Sequence, residues 1–120
     1  MAIVVIRQDN KLDAWKKALV AKAPNTTIYR YLEDHPKDEI TRACVWKQPA
    51  ETLNKYPKLE CIASFGAGVD FIFKDPSVPK NIPITRVVDP VLASDMSEFV
   101  LALILSFFKN LTAYRTDQLK

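Results

Sequence analysis

Few residue types in this sequence could do chemistry, and the ones that could are concentrated in one place. Both glycines, Gly66 and Gly68, fall in the run Ser64-Phe65-Gly66-Ala67-Gly68-Val69-Asp70. The apolar stretch Leu59 to Phe65 precedes them, so the run is placed at the carboxyl end of a buried strand. Small residues there let a ligand approach the backbone, and successive N–H groups can converge on an anion. The same residues can also make a tight strand-to-helix turn with no ligand, because one G-x-G carries little specificity. Asp70 is placed to cap the short helix that would follow.

The other reactive side chains are sparse. His35 is the single histidine. It lies in Glu33-Asp34-His35-Pro36-Lys37-Asp38-Glu39, which reads as a solvated loop with too few ligands nearby for a metal. Cys44 and Cys61 sit in apolar runs without a C-x-x-C pattern and read as buried, reduced thiols of a cytosolic protein. With two glycines in all, the chain holds neither a G-x-G-x-x-G dinucleotide fingerprint nor a P-loop. It is therefore expected to carry no catalytic residue, no metal site and no tight nucleotide site.

Composition bounds the remaining choices. At 120 residues, 48% hydrophobic and 26% charged, the chain reads as one ordinary globular domain. The net charge of +3 is spread along the sequence, with no basic stripe to suggest nucleic acid. No signal-peptide pattern opens it. The apolar stretch Phe99 to Phe108 is about half of what a bilayer-spanning helix needs. The expected location is cytoplasmic, with no membrane partner.

Elements that would position the glycine loop follow from periodicity. Strands are expected at Ile3–Ile6, Thr27–Tyr31 (at an edge), Ala43–Trp46, Leu59–Phe65 and Ile84–Val87. Asp9-Asn10 reads as a turn or cap before a helix through Leu12, Trp15, Leu19 and Val20 that stops near Pro24. A short helix is expected over Pro49–Tyr56, with proline at its start, and another around Asp70–Lys74. Pro76 to Pro83 is an irregular connection. A final helix is expected to start near Ser94-Asp95, with Asp95 and Glu98 spaced as a capping box, and to run unbroken to Lys120. Alternating strands and helices imply a flavodoxin-like doubly wound parallel sheet of about five strands, followed by a long C-terminal interdomain helix. Ligands bind such sheets beyond the carboxyl ends of the strands. The loops after Ile6, Trp46 and Phe65 lie there.

Several segments together resemble a known family. Ser64 to Asp70 is similar to the substrate loop of the D-isomer-specific 2-hydroxyacid dehydrogenases. Ala43-Cys44-Val45-Trp46-Lys47-Gln48-Pro49, Tyr56 to Ile62, Arg86-Val87-Val88-Asp89, Met96-Ser97-Glu98-Phe99-Val100 and Tyr114-Arg115 occur in the matching order. The combination is similar to the glyoxylate/hydroxypyruvate reductase A branch and extends from Ile3 to Lys120. The resemblance implies that amides of Gly66, Ala67 and Gly68 hold the carboxylate of a small 2-keto or 2-hydroxy acid. It also implies that Trp46 forms a wall of the pocket and that Met96 lies near the nicotinamide of NADP or NAD. Packing roles for Trp46 and Met96 are the alternatives, and Arg86 could face the cleft or be an ordinary strand-end arginine.

The same resemblance divides the chain into a substrate-binding domain, 1–92, and the start of a helix, 93–120, leading to a cofactor domain. The family's catalytic arginine, carboxylate and histidine belong to that second domain. The apolar helix implies a homodimer. A phosphoacceptor receiver domain would need an aspartate where Trp46 and Lys47 stand. A flavin domain would need a Ser/Thr-rich loop where Arg7-Gln8-Asp9-Asn10 stands. The remaining alternative is a binding or dimerisation module without catalysis.

Overall fold

Five short β-rich runs pair in parallel to build the sheet of this protein, seen in a computed structural model that describes residues 1–9 and 11–120. Asn10, half of the expected Asp9-Asn10 turn, lies outside the described residues. The strands are β1 (Ala2–Arg7), β2 (Thr27–Arg30), β3 (Ile40–Trp46), β4 (Cys61–Ser64) and β5 (Ile84–Thr85). Their spatial order is β2-β1-β3-β4-β5, the flavodoxin-like arrangement. The edge position expected for β2 is observed. The helices are α1 (Asp13–Lys22), α2 (Asp70–Phe73), α3 (Pro90–Phe108) and α4 (Leu111–Gln118).

Strand alternation sorts the core into two layers. Val4 and Ile6 of β1, Ala43 and Val45 of β3 and Ile62 of β4 join Leu53, Tyr56, Leu59 and Ile72 on one side. Val5 joins Leu12 and Ile28 on the other, with Ile3, Leu19, Cys44 and Phe65 packed against them. Ile6, Ile62 and Ile72 are fully buried, and truncating any of them to alanine would cost about 2–5 kcal/mol. The sheet is thus a rigid platform for the loops at its carboxyl edge.

Four local expectations are corrected by the structure. The Pro49–Tyr56 helix is only a single 3-10 turn at Leu53–Lys55. Lys47 and Glu51 adopt left-handed backbone (φ 47° and 59°), a conformation incompatible with a helix through this stretch. Asp70 does not cap α2; Val69 is the cap residue and Asp70 the first helical one. His35 is not solvated but buried, its ring stacked between Tyr29 and Tyr56 at centroid distances of 5.2 and 5.8 Å. Its Nδ1 lies 2.6 Å from the Glu33 carbonyl and Lys37 Nζ lies 3.0 Å from its Nε2. The thiols of Cys44 and Cys61 are free and half-buried rather than fully buried. Burial, and then the nearby Cys61, push the Cys44 thiol up to about 11.

The chain divides into two compact units, residues 1–87 and 88–120. The second holds α3 and α4. Here the expectation of a capping box at Asp95 and of an unbroken helix is also corrected. Asp89 caps α3 instead, its Oδ1 accepting the Val91 N–H at 2.9 Å, with Pro90 at the first turn. The helix ends at Lys109, and Asn110, at φ 51° and ψ 34°, turns the chain left-handed before α4. Asparagine tolerates that region better than other non-glycine residues. The start at Pro90 gives α3 19 residues and a mean hydropathy of 1.8, long and apolar enough to cross a membrane by length and composition.

Candidate functional site

The carboxyl ends of β1, β3 and β4 bring Arg7, Trp46 and the Gly66 loop together. Arg7 and Trp46 are register partners across β1 and β3, and the Gln8 N–H donates to the Trp46 carbonyl at 3.3 Å. Phe65 leaves β4 by donating its N–H to the Val45 carbonyl at 2.9 Å. The chain then enters Gly66-Ala67-Gly68. A Cβ built on Gly66 would stand 3.9 Å from Cδ1 of Trp46. Two of the predicted site elements, Trp46 and the loop, are therefore neighbours.

The loop is held in shape by a residue that sequence reading passed over. Ser64 is buried; its Oγ accepts the Gly66 N–H at 3.2 Å and donates to the Gly68 carbonyl at 3.1 Å. Serine's ability to bond its own backbone two residues on was the available signal. From the other side, the Val87 N–H donates to the Gly66 carbonyl at 3.2 Å, and Arg86 Nη1 donates to the Ala67 carbonyl at 3.2 Å. Arg86 thus sits across the loop, exposed, and adds positive charge there. With the Gly66 N–H turned to Ser64, the amides of Ala67 and Gly68 carry no hydrogen bond among the described residues.

Neither glycine is required by the fold of this unit. No glycine has a positive φ. A Cβ on Gly66 would make only an ordinary contact, and one on Gly68 would meet nothing within 4 Å.

Trp46 stands in a cluster of π-faces and cations. Arg7 Cζ lies 4.7 Å from the Trp46 ring centroid, and Lys47 Nζ lies 5.1 Å from the same ring. Arg7 is fixed by Asp9, whose carboxylate accepts from Nε at 3.0 Å and from Nη2 at 2.8 Å. That hydrogen bond holds the Asp9 carboxyl down to about 2 and raises Arg7 further. Beyond Trp46, the Gln48 amide has both polar atoms buried with no partner among the described residues, a burden of about 1–3 kcal/mol.

Met96 is placed in α3, in the second unit, where Met96, Val100 and Ile104 line a shallow apolar groove along the helix. A separate apolar cavity of about 300 Å³, lined in part by Ile72, Val78, Pro79 and Ile84, shares no residue with the Gly66 loop. Among the described residues no group of three or more His, Cys, Asp or Glu side chains could hold a metal ion.

The fold of this chain is shared with solved D-isomer-specific 2-hydroxyacid dehydrogenases. The chain superposes on one from Xanthobacter autotrophicus, solved with NADPH and MES, with a TM-score of 0.80 at 27% identity, covering 98% of this chain and 38% of the other. Within that class the likeness narrows to the glyoxylate/hydroxypyruvate reductases. An NADPH-dependent enzyme of that name from Sinorhizobium meliloti, solved with NADP and sulfate, gives a TM-score of 0.74 at 26% identity, covering 96% of this chain and 37% of that one. Glyoxylate/hydroxypyruvate reductase A of Yersinia enterocolitica is 29% identical over 111 residues, 87% of this chain and 34% of the relative. The Serratia proteamaculans protein of the same name is 27% identical over 113 residues, 88% of this chain and 35% of the relative. The chain spans about a third of the length of these curated relatives, which fits an N-terminal portion of such a protein. No protein-family model matches the chain.

Proposed function

We propose that this chain is the substrate-binding portion of an NAD(P)-dependent oxidoreductase acting on small 2-keto or 2-hydroxy acids such as glyoxylate or hydroxypyruvate. The observation that carries the reading is the loop Gly66-Ala67-Gly68. Its glycines serve no conformational or packing need inside the unit, so their smallness is kept for something that arrives from outside. The Ala67 and Gly68 amides are the donors for the substrate carboxylate. Ser64 fixes the loop through the Gly66 amide, Arg86 adds attraction for the anion, and Trp46 forms the wall beside it. Preorganised backbone donors cost little to reorganise when an anion binds.

The division at 1–92 and 93–120, with the second segment leading toward a cofactor domain, belongs to the same proposal. The relatives solved with NADPH or NADP support a nicotinamide cofactor for the full-length enzyme, with Met96 near it. This chain by itself should hold that cofactor weakly and turn over no substrate. A cytoplasmic location follows from the same enzyme class. Asp95 and Glu98 within α3 favour protein over lipid as its cover, since carboxylates are costly in hydrocarbon. A homodimer through the C-terminal helices completes the proposal.

Calorimetric titration with glyoxylate tests the site. Saturable binding is expected, and Gly68→Ala should weaken it about tenfold, or ~1.4 kcal/mol. The same substitution should leave thermal stability unchanged or raise it by about 0.4–1 kcal/mol, because the backbone there suits alanine. Unaltered affinity in Gly68→Ala would contradict the role given to the loop.

A further inference from the structure

We propose that Arg7 is a positioning residue of this pocket: its guanidinium, locked by Asp9, holds the indole of Trp46 beside the Gly66 loop and so sets the pocket's width. The inference rests on reading that loop as the carboxylate site. Odd-numbered Arg7 on β1, Trp46 on β3 and Phe65 at the end of β4 share the side of the sheet that carries Val5, Cys44 and α1. From α1, Trp15 reaches the same spot, its ring 4.4 Å from that of Phe65. Arg7 is the hub. Its Cζ lies 4.7 Å from the Trp46 ring, 5.6 Å from Trp15 and 5.8 Å from Phe65, all within the range of cation–π attraction.

A free arginine would rotate; this one does not have that freedom. Two of its nitrogens are committed to Asp9, whose Oδ1 also accepts the Lys11 N–H at 3.2 Å, and the Arg7 side chain is only 13% exposed. The plane of the guanidinium is therefore fixed from below by the turn after β1. A flat, delocalised cation can hold an aromatic face in one orientation, which a lysine ammonium cannot. Lys47 also approaches Trp46 but is exposed and has no hydrogen bond or ion pair among the described residues. The contacts run from Asp9 through Arg7 to Trp46, whose Cδ1 stands 3.9 Å from where a Cβ on Gly66 would lie, so the position of the ring limits the space beside the loop.

The test uses the full chain labelled with 5-fluorotryptophan, the Trp46 line being assigned with Trp46→Phe. In Arg7→Met and Arg7→Lys the Trp46 fluorine line should broaden or split while unfolding stays cooperative, with the melting temperature lowered only by the weakened pairing to Asp9. Lys47→Met should leave the line single and sharp. Glyoxylate affinity should fall about tenfold in both Arg7 variants. A single sharp Trp46 line in the Arg7 variants would overturn the proposal, as would a disordered ring with unchanged glyoxylate affinity. If the parent itself binds no glyoxylate, the carboxylate reading fails, and the Trp46 line still decides whether Arg7 places the ring. Should Arg7→Met not fold, Arg7→Lys, which keeps the charge and the stem, carries the comparison.

Discussion

Two carboxylates anchor this unit to its own cations. Asp9 is held down to about 2 by the hydrogen bond from Arg7. Glu33 is held down to about 2 first by the Arg30 N–H and then by the side chains of Arg30 and Lys16. The Glu33 network ties the end of β2 to α1, with Arg30 also reaching Asp13 at 2.7 Å. Ordinary values for the two groups are 3.8 and 4.5. Both are lowered on folding, so their stabilisation is complete above about pH 5 and disappears as pH falls toward about 2. Urea midpoints measured from pH 6 to pH 2 should decline across that window. The combined Asp9→Asn, Glu33→Gln variant should start lower and decline less. An equal decline in both proteins would show that other groups govern acid unfolding. At this scale the sequence was least transparent. The charged neighbours of His35 suggested solvent, whereas the ring is packed between Tyr29 and Tyr56, and Tyr56 comes from a separate part of the chain that no local window contains. Ser64 stood in plain view, but only its geometry shows that it closes the loop.

At the scale of elements, the strands were legible because β-branched runs are bounded by turn residues, and each of the five was found within a few residues of its expected place. Alternation also predicted the edge strand. Helix ends were less legible. Asp95 and Glu98 have the spacing of a capping box, yet Asp89 with Pro90 starts the helix a turn earlier, and Asn110 breaks it without proline or glycine. The result is an apolar α3 in which no residue is buried, Phe99, Val100, Leu103 and Phe107 included. An apolar surface of this extent calls for a partner. Light scattering between about 10 and 500 µM should show a dimer that dissociates on dilution, and Phe99→Glu with Leu103→Glu should give a monomer. A parent chain that stays monomeric throughout would contradict the proposed dimer.

For the whole molecule, fold and chemistry separate cleanly. The parallel sheet and its strand order follow from the alternation of elements, and comparison places that fold among the 2-hydroxyacid dehydrogenases. The site follows from the fold's carboxyl edge, where Trp46 and the Gly66 loop are brought together as expected. Counting glycines was enough to rule a dinucleotide fingerprint out of these 120 residues. What could not be counted was which amides remain open, because that depends on the Ser64 hydroxyl. On the proposed reading, the Ala67 and Gly68 amides receive a carboxylate. Amide-resolved NMR with glyoxylate tests it most directly. Saturable shifts centred on the Ala67 and Gly68 amides, with smaller ones at Trp46 and Arg86, are the predicted result; a titration that leaves those two amides unmoved would contradict it.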